Sequence, residues 1–149
     1  DLVRSRGLGD VYKRQITIHA LADAIWQVIG DFSMAGAYLP GVAACTVAGE
    51  GIGALRTLTS ADGSMIVERL ESLDDAAQRL SYALLTDTPF CDCVTTMALR
   101  ELGSYLTELT WSASFQPDGL PASEAADLLE GALAENCRAL KQFIEASRV

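Results

Sequence analysis

Histidine is nearly absent from this chain, in which His19 is the only one among 149 residues. Zinc sites are built from clusters of cysteine and histidine, and a single histidine beside four cysteines makes such a cluster implausible. The sequence therefore predicts neither a metal nor a cofactor. We interpret the cysteines as ordinary buried thiols rather than disulfides, which favours a reducing, cytoplasmic location.

Basic residues are also scarce, because 11 lysines and arginines stand against 20 acidic residues and give a net charge of -9. A nucleic-acid partner needs a basic face, and an electrostatic membrane anchor needs basic clusters, so neither partner is expected. No stretch approaches the roughly 18 uncharged apolar residues that a transmembrane helix needs. Half of the residues are nevertheless apolar, which fits one globular domain with a sizeable core.

The first fifteen residues differ from the rest, because they carry four of the basic residues, only two of the acidic ones and no helical or strand period. They also lack the apolar segment of a signal peptide. The string resembles adapter-derived segments in translated bacterial metagenomic assemblies. We therefore interpret residues 1–14 as a non-native leader and residues 15–149 as a single ligand-binding domain, with a genuine basic arm as the alternative.

Apolar periodicity and turn signals predict an α+β domain with a strand, two short helices, six further strands and a long C-terminal helix. An antiparallel sheet of seven strands cannot bury its inner face alone, so the long helix must lie across it and leave a cavity. The predicted strands are residues 15–19, 44–48, 54–59, 65–73, 79–86, 93–100 and 105–116. The apolar stripe of the last helix comprises Leu129, Leu133, Asn136, Leu140, Phe143 and Ile144.

Four segments occur in the order "YLPGVAACTVAGEGIGALRTLT", "ERLESLDD", "CVTTMAL" and "LTWSASFQPDG". Together they resemble the SRPBCC or START-like superfamily, which includes polyketide cyclase/dehydratase-like proteins and, more distantly, abscisic acid receptors. The resemblance covers residues 15–147. It implies a helix-grip fold, in which a curved seven-stranded antiparallel sheet wraps around a long C-terminal helix, with two short helices after the first strand.

The abscisic acid receptor pattern implies several ligand-binding positions. The glutamate of its "ERL" segment falls on Glu68, a helix asparagine on Asn136 and a cavity-lining aromatic on Tyr82. Its tyrosine and serine before "VTT" fall on Cys91 and Cys93. At Tyr82 and Asn136, core packing or another structural partner is the alternative to ligand contact.

The departures from that pattern argue against hormone sensing. The lysine that pairs with the hormone's carboxylate falls on Ala43, and the gate and latch segments are absent. A strand glutamate falls on Thr110, whereas alternation of apolar residues places Trp111 on the inner face instead. A β-bulge would reconcile the two orientations, and without one we expect Trp111 to line the interior.

Arg56 is the candidate counterion for Glu68, and the hairpin between them decides whether the two meet. A three-residue loop at residues 61–63 pairs Arg56 with Glu68, whereas a two-residue turn at residues 62–63 pairs it with Arg69 on the opposite face. The sequence leaves both registers open. If paired with Arg56, Glu68 stays ionised and anchors either the structure or a ligand. If unpaired in an apolar cavity, Glu68 would have a raised pKa suited to acid–base catalysis.

Three functions remain open at this point. The first is a polyketide cyclase/dehydratase-like enzyme in which Glu68 is the catalytic residue and shuttles protons with Tyr82 or Asn136. The second is a non-catalytic carrier or sensor, and the third is an interaction module with a vestigial pocket. The first two take a small apolar or aromatic ligand, with Arg56 and Trp111 also in contact with it. The protein is expected to be a monomer or a homodimer, since such sheets have exposed edges.

Overall fold

Seven strands form an antiparallel sheet in the computed structural model, which describes residues 10–86, 90–117 and 119–147. The spatial order of the strands is β1-β7-β6-β5-β4-β3-β2, so β1 and β2 form the edges. None of the helices in these ranges is long and apolar enough to cross a membrane. The elements are β1 (Asp10–Ile18), α1 (Ala22–Ile29), a 3₁₀ turn (Phe32–Met34), α2 (Ala35–Tyr38), β2 (Val42–Ala48), β3 (Leu55–Ser60), β4 (Met65–Asp74), β5 (Arg79–Leu84), β6 (Phe90–Gly103), β7 (Leu106–Pro117) and α3 (Ala122–Ala146).

The long helix α3 packs across β1 and β7 and closes one side of the sheet. Together with the two short helices after β1, this arrangement confirms the predicted helix-grip fold. The buried side chains of α3 are Ala125, Leu129, Leu133, Cys137, Leu140 and Ile144. Cys137 therefore takes the place that we had expected for Asn136, which is half-buried beside the stripe. The spacing explains this difference, because residues 133, 137, 140 and 144 follow one helix face while residue 136 is turned aside.

Strand β1 begins at Asp10, five residues before the predicted start, and pairs with β7 along its whole length. Tyr12 is only 1% exposed and stacks on Phe115 with ring centroids 5.5 Å apart. The inward alternation of this strand is interrupted by Arg14, which forms an ion pair of 3.5 Å with Glu130 of α3. A charged residue on the inner face hid the strand from the apolar pattern. The non-native origin of residues 1–14 stays a prediction, and residues 1–9 lie outside the described ranges.

Candidate functional site

The turn between β3 and β4 sets the register of the central residues of the site. Ser60 and Ser64 close the loop, with the Ser60 N–H donating to the Ser64 carbonyl over 2.8 Å. The loop therefore has three residues and ends on Gly63, whose φ of 88° lies in the left-handed region that glycine adopts without strain. This register pairs Arg56 directly with Glu68, which resolves the alternative that the sequence left open.

Arg56 and Glu68 form a buried ion pair on the core side of the sheet. The Arg56 Nε and Nη2 atoms both lie 2.8 Å from the same carboxylate oxygen, Glu68 Oε1. The third guanidinium nitrogen, Nη1, donates to the carbonyl of Phe32 over 3.3 Å. The side chains are 2% and 13% exposed, so the pair is largely removed from water.

Aromatic rings surround the guanidinium. Arg56 Cζ lies 4.1 Å from the centroid of the Phe32 ring and 4.6 Å from that of Tyr82. Both contacts are within the range of cation–π attraction, which strengthens when the cation is desolvated. Phe32 and the neighbouring buried Tyr38 come from the 3₁₀ turn and α2, and neither residue was predicted from the sequence to belong to the site. The only signal for them was an aromatic residue in each of the short segments expected to cover the sheet.

Tyr82 and Trp111 extend this aromatic wall across the sheet. The Trp111 indole N–H donates to the Tyr82 hydroxyl over 3.3 Å, and the Tyr38 ring meets the indole edge-on at 6.4 Å. Trp111 is 1% exposed, as the apolar alternation of β7 predicted. Thr110 lies on the outer face, where its hydroxyl accepts from the Gln15 amide over 3.2 Å. The pairing of β1 with β7 runs without a bulge past this point, so the orientation taken from the receptor pattern is wrong.

The remaining predicted positions are less closely joined to this cluster. Cys93 is buried, and burial raises the pKa of its thiol to about 11, so the thiol is protonated at neutral pH. Asn136 is half-buried on α3, and the described residues give its side chain no hydrogen bond. The side chain of Cys91 lies outside the described part of the structure.

Burial dominates the electrostatics of the site. It raises the pKa of Tyr38 to about 12 and also raises the pKa of Tyr82, so both phenols stay neutral. Burial also raises the pKa of Glu68 above the ordinary value of a glutamate, while the adjacent charge of Arg56 opposes that rise. The cluster thus offers one carboxylate, neutral hydroxyls and aromatic surface. Within the described ranges, histidine, cysteine and carboxylate side chains do not gather in a group of three that could hold a metal ion.

Comparison with solved structures finds the same fold in bacteria and plants. XoxI from Bacillus cereus is 25% identical with a TM-score of 0.83, over 93% of this chain and 99% of that one. The Zhui aromatase/cyclase from Streptomyces sp. R1128 is 21% identical with a TM-score of 0.73, over 93% of each chain. Norcoclaurine synthase from Thalictrum flavum, in complex with dopamine and hydroxybenzaldehyde, is 16% identical with a TM-score of 0.75, over 99% and 97%. No curated protein matches the chain.

The fold defines a helix-grip protein of the SRPBCC superfamily. More narrowly, the family described as polyketide cyclase/dehydrase and lipid transport matches residues 11–145. The chain therefore belongs to that family. The match begins within β1 and ends near the last turn of α3, so it spans every element of the domain.

Proposed function

We propose that the protein binds a small apolar or aromatic molecule on the core side of its sheet, with the Arg56–Glu68 pair as the polar anchor. The observation that carries this proposal is the burial of the pair among aromatic side chains. Replacing a buried ion pair by apolar residues of similar volume is often neutral or stabilising, so fold stability gives little reason for the pair. Recognition of a polar group on an otherwise apolar ligand gives such a reason.

Two further observations support a binding role. Tyr38, Tyr82 and Trp111 supply aromatic surface next to the pair, and ligand sites combine such surface with a few polar groups. The family description includes lipid transport and polyketide cyclisation, both of which act on largely apolar molecules. For the oligomeric state, we propose a cytoplasmic monomer or a homodimer in which the edge strands β1 or β2 of two copies pair.

Acid–base chemistry on the bound molecule is the second candidate function. It is favoured by the raised pKa of Glu68 and by the neutral Tyr82 phenol in the same cluster. In this version Glu68 takes and returns a proton during a cyclase- or dehydratase-like step, with Tyr82 or Asn136 assisting. Replacement of Glu68 by glutamine would then abolish turnover while binding of the substrate persists.

Fluorescence of Trp111 provides a direct test of interior binding. Trp26 and Trp111 are the two tryptophans of the chain, so Trp26→Phe leaves the buried indole of the site as the sole donor. Titration with the neutral probe phenyl-naphthylamine should quench this indole by energy transfer and saturate at one probe per chain. Native mass spectrometry after mild purification should also show a retained small molecule. A chain that transfers no energy to the probe and carries no adduct would refute the proposal.

A further inference from the structure

The two halves of the ion pair differ in how much bonding capacity they leave for a ligand. Each nitrogen of Arg56 lies close to a protein oxygen: Nε donates to Glu68 Oε1, Nη1 donates to the Phe32 carbonyl, and Nη2 lies 2.8 Å from Glu68 Oε1 within the ion pair. The side chain is 2% exposed, and two aromatic rings lie against the guanidinium. The charge of Arg56 is therefore already paired within the protein, which weakens its attraction for an anionic ligand.

Glu68 keeps one oxygen open. Both guanidinium nitrogens that approach the carboxylate, Nε and Nη2, lie against Oε1, and in the described ranges no group donates to Oε2. Across the same ranges, Thr86 Oγ1 is the one side-chain oxygen or nitrogen that is both fully buried and without a hydrogen-bond partner. Glu68 Oε2 also accepts no hydrogen bond, so it is not fully buried and retains accessible surface, in agreement with the 13% exposure of the side chain.

From this asymmetry we infer that the site selects ligands that donate a hydrogen bond, such as phenols, alcohols or amines, and disfavours carboxylates. This inference rests on the proposed function, because it assumes that the ligand occupies the core side of the sheet. The carboxylate oxygen Glu68 Oε2 accepts the ligand's O–H or N–H, and Arg56 holds the carboxylate in place. The aromatic rings of Tyr82 and Phe32 contact the apolar part of the ligand.

The preference for hydrogen-bond donors over carboxylates is called the donor rule below. Electrostatic repulsion explains why carboxylates are disfavoured. A ligand carboxylate placed at Glu68 Oε2 would meet a negative charge across a few ångströms in a poorly hydrated space, where such repulsion is strong. The nearest cation, Arg56, is already bonded to Glu68 and to the Phe32 carbonyl. The overall charge of -9 adds to the bias against anions.

A matched pair of probes tests the rule on the unaltered protein. β-Naphthol and β-naphthoate share one ring system, but at neutral pH the first is a hydrogen-bond donor and the second an anion. Hydrogen bonds to charged groups are strong enough that isothermal titration calorimetry should give β-naphthol a dissociation constant at least about tenfold lower. Equal affinities, a preference for the naphthoate, or no binding of β-naphthol would overturn the inference.

Variants on β4 show whether Glu68 causes the preference. Glu68→Gln replaces the carboxylate by a neutral amide and should bring the two affinities to within about threefold, because the charge that attracts the donor and repels the anion is gone. Glu71→Gln is the matched control, since Glu71 pairs with Arg69 on the exposed face of the same strand and should leave the tenfold ratio unchanged. An unchanged ratio in a folded Glu68→Gln variant would overturn the assignment to Glu68.

The donor rule and the proposed function fail in different ways. If phenyl-naphthylamine binds but β-naphthol shows no advantage, the rule is wrong while interior binding stands. If neither phenyl-naphthylamine nor either naphthalene probe binds, both ideas are wrong. The ratio in the unaltered protein decides the question even where Glu68→Gln does not fold.

Discussion

Replacing Arg56 with methionine would leave Glu68 as an uncompensated charge on the core side of the sheet. Replacing Glu68 with leucine would leave Arg56 in the same state, in a position only 2% exposed. Removing one partner of a buried pair typically lowers the free energy of unfolding by about 3–5 kcal/mol. The 13% exposure of Glu68 and its raised pKa allow some relief by water or protonation, so we expect about 3 kcal/mol for each single variant.

The double variant Arg56→Met/Glu68→Leu should be much less destabilised than the two single variants together. It leaves no isolated charge, and its main loss is the attraction between the guanidinium and the rings of Phe32 and Tyr82. We expect a loss of about 1–2 kcal/mol, against a sum of about 6 kcal/mol for additive effects.

Urea unfolding followed by circular dichroism measures this coupling. With a slope of about 2 kcal/mol per molar urea, each single substitution should lower the midpoint by about 1.5 M and the double by less than about 1 M. The exposed pair Arg69–Glu71 provides the matched control, because the same substitutions there remove only a solvent-exposed pair and should leave the urea midpoint close to that of the unaltered protein. If the Arg56 and Glu68 effects simply add, the carboxylate and guanidinium do not depend on each other and our description of the pair is wrong.

Further predictions concern α3 and one turn. The His19 backbone N–H and the Lys141 ammonium lower the pKa of Glu145 from 4.5 to about 2. The contribution of Glu145 to the stability of the folded state is therefore complete above pH 4.5 and is lost as the pH falls towards 2. Glu145→Gln should therefore cost about 1–2 kcal/mol at neutral pH and flatten the acid unfolding curve, whereas Glu135→Gln at an exposed pair should do neither. Gly63→Ala should lower the free energy of unfolding by about 1 kcal/mol, because the φ of 88° at this position strains any residue with a Cβ. Gly131→Ala in α3 has open space around the added methyl and should raise the free energy of unfolding by about 0.5–1 kcal/mol. Equal effects of the two alanines in thermal unfolding would contradict the backbone argument.

The order of the elements and the inner face of β7 followed from the sequence, because both depend on local periodicity. Trp111 is buried as the apolar alternation of β7 predicted, and Leu109, Ala113 and Phe115 on the same face of the strand are buried with it. Arg14 interrupts the apolar alternation of β1. The start of β1 predicted from the sequence is therefore five residues too late.

The centre of the candidate site could not be derived in the same way. Whether Arg56 meets Glu68 depends on a loop that differs by one residue between two common turns, and apolar patterning is compatible with both. The contacts of Phe32 and Tyr38 with the sheet depend on where the 3₁₀ turn and α2 fold back. Such placement is a tertiary effect that no local pattern encodes.

The stability cycle and the donor rule together separate two reasons for keeping a charged pair in an aromatic interior. If the pair serves the fold, the apolar double variant should lose stability and ligand binding together. If it serves recognition, the double variant should keep most of its stability, still bind phenyl-naphthylamine, and lose the preference for β-naphthol over β-naphthoate. The geometry favours the second outcome, because two nitrogens of Arg56 lie against one oxygen of Glu68 while the other oxygen accepts nothing from the described residues and stays accessible to a ligand.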